Sequence, residues 1–192
     1  MNVGLYFGSF NPVHNGHLII ATHIANYTDL DRIWFVVSPQ SPYKRQETLL
    51  NENHRKHLID LSIEGEKKLS TSNIEFKLPK PSYTAETLLY LSEKHPDYRF
   101  TIILGSDSFL NVRNWKNSDY LWNNFDFLIY ERPGFEVKKE MLNEKRSVLK
   151  APLLQISSSR IRQMVKEKKS IRYMVPEIVR EQIETHQYYS RQ

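Results

Sequence analysis

The sequence contains no cysteine at all. That absence excludes a disulfide scaffold, a thiolate metal site, an iron–sulfur cluster and a cysteine nucleophile. No apolar run approaches the length needed to cross a bilayer, and the first ten residues lack the basic start and apolar stretch of a signal peptide. We therefore expect a cytoplasmic protein with no membrane partner.

What is present suits one compact domain spanning residues 1–192, with the helices from about residue 157 included. Hydrophobic residues make up 40% of the chain and charged residues 26%, which is ordinary for a globular protein. The 27 basic residues outnumber the 22 acidic ones and give a net charge of +5. A basic balance favours anionic partners, either nucleic acid or phosphorylated small molecules.

Strand-like and helix-like segments alternate along the chain, with no repeat or low-complexity tract. This alternation predicts an α/β fold, a single Rossmann-like domain whose parallel sheet carries helices on both faces. Residues 132–150 form the most irregular segment. The predicted strands are 3–7, 32–37, 73–76, 99–104, 125–130 and 153–156, and the predicted helices are 15–27, 52–64, 82–95, 107–115, 157–168 and 176–188.

Three of the predicted strands end in small or polar residues, at 8–10, 105–107 and 157–159. In parallel sheets, ligands bind at the carboxyl ends of the strands, near the point where the strand order reverses. We expect the functional site to lie where these three segments meet.

The first of these segments opens the motif GSFNPVHNGH, residues 8–17, which follows a strand and begins a helix. Gly8 and Ser9 allow a tight turn close to a ligand. His14 and His17 lie at the helix start, where free N–H groups and the helix dipole bind phosphate. The motif is neither G-x-G-x-x-G nor the Walker A loop. An ordinary strand–turn–helix with incidental histidines explains it equally well, whereas zinc binding lacks an obvious third ligand.

The motif GSFNPVHNGH resembles the (T/S)-F-(D/N)-P-x-H-x-G-H signature of the nucleotidyltransferase superfamily. Residues 156–162, ISSSRIR, resemble the I-S-S-(S/T)-x-I-R signature of its adenylyltransferase branch. Within that branch the chain is most similar to the bacterial nicotinate-nucleotide adenylyltransferases. Their S-Y-T-x-x-T-L, G-x-D…W and R-P-G segments are matched by Ser82–Leu88, by Gly105–Asp107 with Trp115, and by Arg132–Gly134.

The resemblance implies an enzyme of NAD biosynthesis that transfers the adenylyl group of ATP to nicotinate mononucleotide, giving deamido-NAD and pyrophosphate. His14 and His17 would be catalytic and would contact the α- and β-phosphates. Magnesium would be carried by the ATP phosphates, without a protein metal site. The implied ATP-binding residues are Gly8, Ser9, Phe10, Gly16, Asp107, Ser158, Ser159 and Arg162, and the implied mononucleotide-binding residues are Lys44, Tyr83, Thr84, Trp115 and Arg132.

The reaction makes few catalytic demands on such an enzyme. The nucleophile is the 5′-phosphate of the mononucleotide, which is already ionised at neutral pH, so neither a general base nor a covalent intermediate is needed. Catalysis would consist of positioning two anions and stabilising the charge that builds on the α-phosphate and the leaving pyrophosphate.

Several alternatives stay open. The acceptor could be nicotinamide mononucleotide, alone or beside the acid, or phosphopantetheine. In a different class, the chain could be a basic nucleic-acid-binding protein without catalysis, although it carries no nucleic-acid motif. The serines before residue 160, Asp107 and Thr84 could be plain helix caps, and Trp115 could be core. The sequence also leaves homo-oligomer formation open.

Overall fold

Parallel strands form the centre of the fold in the order β3-β2-β1-β4-β5-β6, so the strand order reverses between β1 and β4. The computed structural model describes residues 1–40, 49–152 and 154–190. Within them the strands are β1 (Asn2–Gly8), β2 (Arg32–Val37), β3 (Leu69–Ser72), β4 (Arg99–Gly105), β5 (Asp126–Tyr130) and β6 (Arg146–Leu149). The α-helices are α1 (Asn15–Tyr27), α2 (Glu52–Ser62), α3 (Thr84–Lys94), α4 (Ser106–Phe109), α5 (Ser118–Asn124), α6 (Ser158–Lys166) and α7 (Glu177–Thr185).

Successive side chains of each strand point to opposite faces of the sheet, and each face is covered by a hydrophobic core. In β1, Leu5 packs into the core beneath α3, α4 and α5, while its neighbour Tyr6 packs into the core beneath α1, α2, α6 and α7. β4 alternates in the same way at Ile102 and Ile103. The predicted parallel sheet with helices on both faces is confirmed.

Two strand predictions are wrong, because the observed strands β3 and β6 are only partly buried and contain few apolar residues. Residues 73–76 fall mostly in a 3-10 turn, Ile74–Lys77, and the strand lies just before them in the polar segment LSTS of β3. β6, in turn, lies inside the segment expected to be irregular, and the described residues 154–156 form no strand. Because β6 is a partly exposed edge strand, its sequence RSVL lacks the apolar run that marks an inner strand.

The helical stretch predicted over residues 107–115 is divided between α4 and a 3-10 turn, Val112–Asn114, and the following helix α5 was not predicted. In the described part of the chain, no helix is both long and apolar enough to span a membrane.

Candidate active site

Two adjoining cavities open at the carboxyl ends of β1 and β4, on either side of the point where the strand order reverses. The first cavity has a volume of about 560 Å³ and is lined by both histidines of the 8–17 motif and by the serines at the start of α6. The second cavity has a volume of about 640 Å³ and is lined by the residues at the start of α3 and by Trp115. The two cavities share Phe7, Gly8, Ser9, Asp107, Ser108 and Trp115.

The loop after β1 turns sharply around Phe10. This residue has a positive φ of 44°, and its ring is buried among Tyr6 and His17, with centroid distances of 5.5 Å and 5.0 Å. Gly8 makes this turn feasible, because a Cβ there would lie 2.8 Å from the ring of Phe10. Phe10 therefore contributes to the site by holding the loop rather than through an exposed ring.

His14 and His17 cap the start of α1 reciprocally. The His17 backbone N–H donates to Nδ1 of His14, and the His14 backbone N–H donates to Nδ1 of His17, both at 3.3 Å. The two rings stack with a centroid distance of 3.6 Å. Because both Nδ1 atoms accept hydrogen bonds, each neutral ring carries its proton on Nε2, as a donor. A Cβ at Gly16 would lie 3.1 Å from the His14 ring, so this position favours glycine.

His14 stays neutral at physiological pH. Burial, together with the positive charge of Arg132, lowers its pKa from 6.5 to about 4. A neutral imidazole can donate a hydrogen bond to a phosphate oxygen without releasing or taking a proton.

Helix α6 is bound directly to the loop after β1. The Ser158 hydroxyl donates to the Pro12 carbonyl at 2.9 Å, and the Arg162 guanidinium donates to the Asn11 carbonyl at 2.7 Å. Ser157 is the helix cap, because its hydroxyl accepts from the backbone N–H of residue 160. The capping explanation thus holds for Ser157, while Ser158 and the adjacent Ser159 and Arg162 line the first cavity.

The same loop is also tied to a residue near the end of the sequence. Tyr189 is partly buried, and its hydroxyl donates to Oδ1 of Asn11 at 2.9 Å. Oδ1 of Asn11 accepts a second hydrogen bond, at 3.1 Å, from the backbone N–H of Leu50. Three distant segments therefore converge on Asn11.

Asp107 and Arg132 form an ion pair at the boundary of the two cavities, with 3.2 Å between Oδ1 and Nε. The buried Oδ1 accepts no aligned hydrogen bond from the described residues, while the side chain as a whole is 36% exposed and its carboxylate can accept from a ligand hydroxyl. Gly105 makes the pair feasible, since a Cβ there would lie 2.5 Å from Oδ1 and 2.8 Å from Nε. Arg132 also donates to the Tyr130 hydroxyl at 3.2 Å.

Arg132 lines the first cavity with the two histidines and does not line the second. Arg132 was expected to bind the mononucleotide, and it lies beside residues that were expected to bind ATP. Lys44, the other basic residue expected on the mononucleotide side, lies outside the described residues.

The second cavity is built around the start of α3. Tyr83 is the cap residue of that helix but makes no side-chain capping hydrogen bond, and Thr84 is the first helical residue. Trp115 is partly buried and packs against the core, yet it also lines both cavities. Lys116 places its Nζ 4.4 Å from the centroid of the Tyr83 ring.

Arg55 is a site residue that sequence reasoning missed. It is fully buried, and its guanidinium donates to the Ser9 and Ser38 carbonyls at 2.6 Å and 2.8 Å, as well as to two carbonyls in residues 39–50. It therefore holds the loops after β1 and β2 together. No pattern could have found it, because an arginine on an amphipathic helix is expected in solvent.

Glu75 was missed for the same reason. Only 2% of it is exposed, and its carboxyl accepts hydrogen bonds from the Ser82 hydroxyl at 2.6 Å and the Thr87 hydroxyl at 3.0 Å. Burial raises the pKa of Glu75. This carboxyl anchors the segment that leads into α3 and lines the second cavity.

The comparisons with known proteins agree with this geometry. The cytidylyltransferase-like family model matches residues 5–164. A probable nicotinate-nucleotide adenylyltransferase of Cytophaga hutchinsonii is 45% identical over 192 residues, which cover 99% of each chain. One of Flavobacterium psychrophilum is 42% identical over the full length of both chains. The chain belongs to the nicotinate-nucleotide adenylyltransferase family.

A solved structure of the family shares the fold. Nicotinic acid mononucleotide adenylyltransferase of Plasmodium falciparum, complexed with NaAD, superposes with a TM-score of 0.85 at 25% identity, covering 98% of this chain and 97% of that one. The superposition includes the strands and helices that line both cavities, because it covers nearly the whole of this chain.

Proposed function

We propose that the protein transfers the adenylyl group of ATP to nicotinate mononucleotide and releases deamido-NAD and pyrophosphate. The observation that carries this proposal is the pair of adjoining cavities, one lined by phosphate-binding donors and the other by aromatic residues and a helix start. Membership of the nicotinate-nucleotide adenylyltransferase family supports the same substrates.

In the reaction, a 5′-phosphate oxygen of the mononucleotide attacks the α-phosphorus of ATP. The bond between that phosphorus and the oxygen bridging to the β-phosphate breaks, and pyrophosphate leaves with the electron pair. The attacking phosphate is already ionised, so no proton needs to be removed. A neutral His14 suits this chemistry, because the step requires a donor to negative oxygens rather than a base.

Different residues of the first cavity bind different parts of ATP. His14 and His17 donate to the α- and β-phosphates, and Arg162 and the hydroxyls of Ser158 and Ser159 bind the outer phosphates. Asp107 accepts from a ribose hydroxyl of the adenosine. Arg132 also lines this cavity, which supports a role for it as a further cation on the ATP side rather than the mononucleotide side.

The donor set of the first cavity fits a magnesium ion that arrives on ATP. Among the described residues, its polar lining is made of imidazoles, hydroxyls, amides, guanidiniums and one carboxylate, Asp107, which is already paired with Arg132. In the described residues no cluster of three or more histidines or carboxylates could hold a metal. When bound to the phosphates, magnesium neutralises their charge and keeps most of its water ligands.

Nicotinate mononucleotide is the preferred acceptor because the second cavity presents uncapped N–H groups at the start of α3. The first N–H groups of α3 have no side-chain cap, so they can donate to a carboxylate, which only accepts. An amide would bring its own donors against them and leave groups unpaired, at a cost of ~1–3 kcal/mol. Trp115 supplies a flat surface on which a pyridine ring can stack.

The deciding experiment offers ATP and magnesium with nicotinate mononucleotide, nicotinamide mononucleotide and phosphopantetheine in separate reactions. Pyrophosphate and the adenylylated product are both measured. We expect the highest kcat/KM with nicotinate mononucleotide. A preference for either other acceptor, or salt-sensitive nucleic-acid binding without any ATP turnover, would overturn the proposal.

A further inference from the structure

The second cavity has to accept an anion, yet it contains little positive charge. Lys116 is the one cationic side chain among the described residues that line it. Of the two acidic residues in the same lining, Asp107 is paired with Arg132, and Glu75 is buried with its pKa raised toward the neutral form. Among the described residues, the positive charge that this cavity offers to an incoming acceptor is therefore that of Lys116.

Contacts on two sides hold Lys116 in place. Its Nζ lies 4.4 Å from the centroid of the Tyr83 ring and 2.7 Å from Oε1 of Glu86, on the first turn of α3. The hydrogen bond with Glu86 raises the pKa of Lys116, so the side chain stays charged. Glu86 does not line the cavity, and the ammonium group has three donors, of which the described residues take one.

Tyr83, whose ring contacts this ammonium group, and Trp115 are the residues expected to enclose the pyridine ring. Lys116 directly follows Trp115 in the chain and lies over Tyr83. A cation at that position can reach a substituent on the ring, and it acts together with the positive end of the α3 dipole.

We propose that Lys116 is a specificity-determining residue that selects a carboxylate over an uncharged amide on the acceptor's pyridine ring. This inference rests on the proposed function, because it assumes that the second cavity holds the mononucleotide. The 5′-phosphate is common to both acceptors, so any help that Lys116 gives to the phosphate cancels when the acid and the amide are compared.

The test measures kcat/KM for nicotinate and nicotinamide mononucleotides with Lys116→Gln and Lys116→Arg. We expect Lys116→Gln to lower the acid-to-amide ratio about tenfold, the size of one hydrogen bond to a charged group. Lys116→Arg keeps the charge and should keep most of the ratio. Where amide turnover is too slow to follow, its inhibition constant against the acid replaces its kcat/KM.

Lys80 provides a matched control. It forms the same kind of pair, with 2.7 Å between its Nζ and Glu52, and its side chain is 45% exposed, against 49% for Lys116. It lines neither cavity, so Lys80→Gln removes the same net charge and should leave the ratio unchanged. Thermal unfolding of all three variants verifies that they are folded.

The outcomes separate the two proposals. If the unmodified protein adenylylates neither mononucleotide, the proposed function fails. If the unmodified protein is active and Lys116→Gln leaves the ratio unchanged, or Lys80→Gln lowers it equally, the role of Lys116 is overturned while the proposed function stands. An equal loss with both acceptors would likewise assign Lys116 to the phosphate and overturn the selective role.

Discussion

The two cavities are organised in different ways. In the first, the ligand-facing groups are held by hydrogen bonds within the protein: His14 and His17 cap the same helix start, and Ser158 and Arg162 bond across most of the chain to the carbonyls of Pro12 and Asn11. In the second, the helix start is uncapped and one ammonium group lies over a tyrosine ring. Prearranged donors suit the stabilisation of transition-state charge, whereas an open aromatic slot with one cation suits the choice between similar ligands.

If this division is correct, damage to the first cavity should lower turnover with every acceptor. We expect His17→Ala to reduce kcat about 10²–10³-fold, because it removes one prearranged donor to the transition state. The kinetics should be compared with those of His23→Ala, which changes a histidine of the same helix outside both cavities. A folded His17→Ala variant with nearly normal kcat would contradict the division.

The second prediction concerns the pH dependence of protein stability, which reports whether His14 is buried in its neutral form. The folded pKa of His14 is about 4 against an ordinary 6.5, so the unfolded chain binds a proton that the folded chain refuses. The stabilising effect of this neutral form is complete above pH 6.5 and is lost as pH falls toward 4. Between pH 6.5 and about pH 5 the loss should be about 2 kcal/mol.

Denaturant unfolding of the wild type and of His14→Gln at both pH values measures this term. The variant has no titrating group there, so its free energy of unfolding should fall less on acidification by about 2 kcal/mol. Parallel losses in the two proteins would mean that His14 is charged or solvated in the fold.

Asp107 lines both cavities, so its substitution tests whether the two cavities bind different substrates. We expect Asp107→Ala to raise the KM for ATP about tenfold, since a charged acceptor for a ribose hydroxyl is lost, and to change the KM for the mononucleotide much less. The control is Asp119→Ala, which breaks a comparable pair with Arg113, 3.0 Å long, on an exposed surface. Equal rises in both KM values would show that the boundary does not separate two subsites.

The smallest effect is expected from a substitution of Glu75, which anchors the segment leading into α3. Glu75→Gln keeps the shape of the side chain but forces the Ser82 and Thr87 hydroxyls to rearrange. We expect the KM for the mononucleotide to rise about fivefold, with the KM for ATP unchanged, because one weakened hydrogen bond is worth about 1 kcal/mol. Glu93→Gln changes an exposed glutamate of α3 and should alter neither value. A rise in the KM for ATP alone would place Glu75 with the other subsite.

The sequence predicts the first cavity better than the second, for a physical reason. His14, His17 and Ser158 follow predicted strand ends or begin predicted helices, so local pattern and topology together bring them to one edge of the sheet. Lys116 meets Tyr83, and Glu75 meets Ser82 and Thr87, only through packing between separate segments, which no local pattern encodes.

Buried charge and edge strands were the other failures. Arg55 and Glu75 look like solvent residues in the sequence, because nothing local reveals that carbonyls or hydroxyls will surround them. The sixth strand escaped prediction because its position at the sheet edge removes the need for an apolar run, while Leu154, in the segment predicted instead, is 46% exposed.

The hydrogen bond from Tyr189 to Asn11 joins residues 178 positions apart and has a consequence for biosynthesis. A chain emerges from the ribosome beginning with its first residues, so β1 and its following loop exist long before Tyr189 is made. Closing so long a segment is entropically costly and slow. The nascent chain can therefore form much of its sheet before Tyr189 is made, but the loop after β1 gains this hydrogen bond only after Tyr189 has left the ribosomal tunnel.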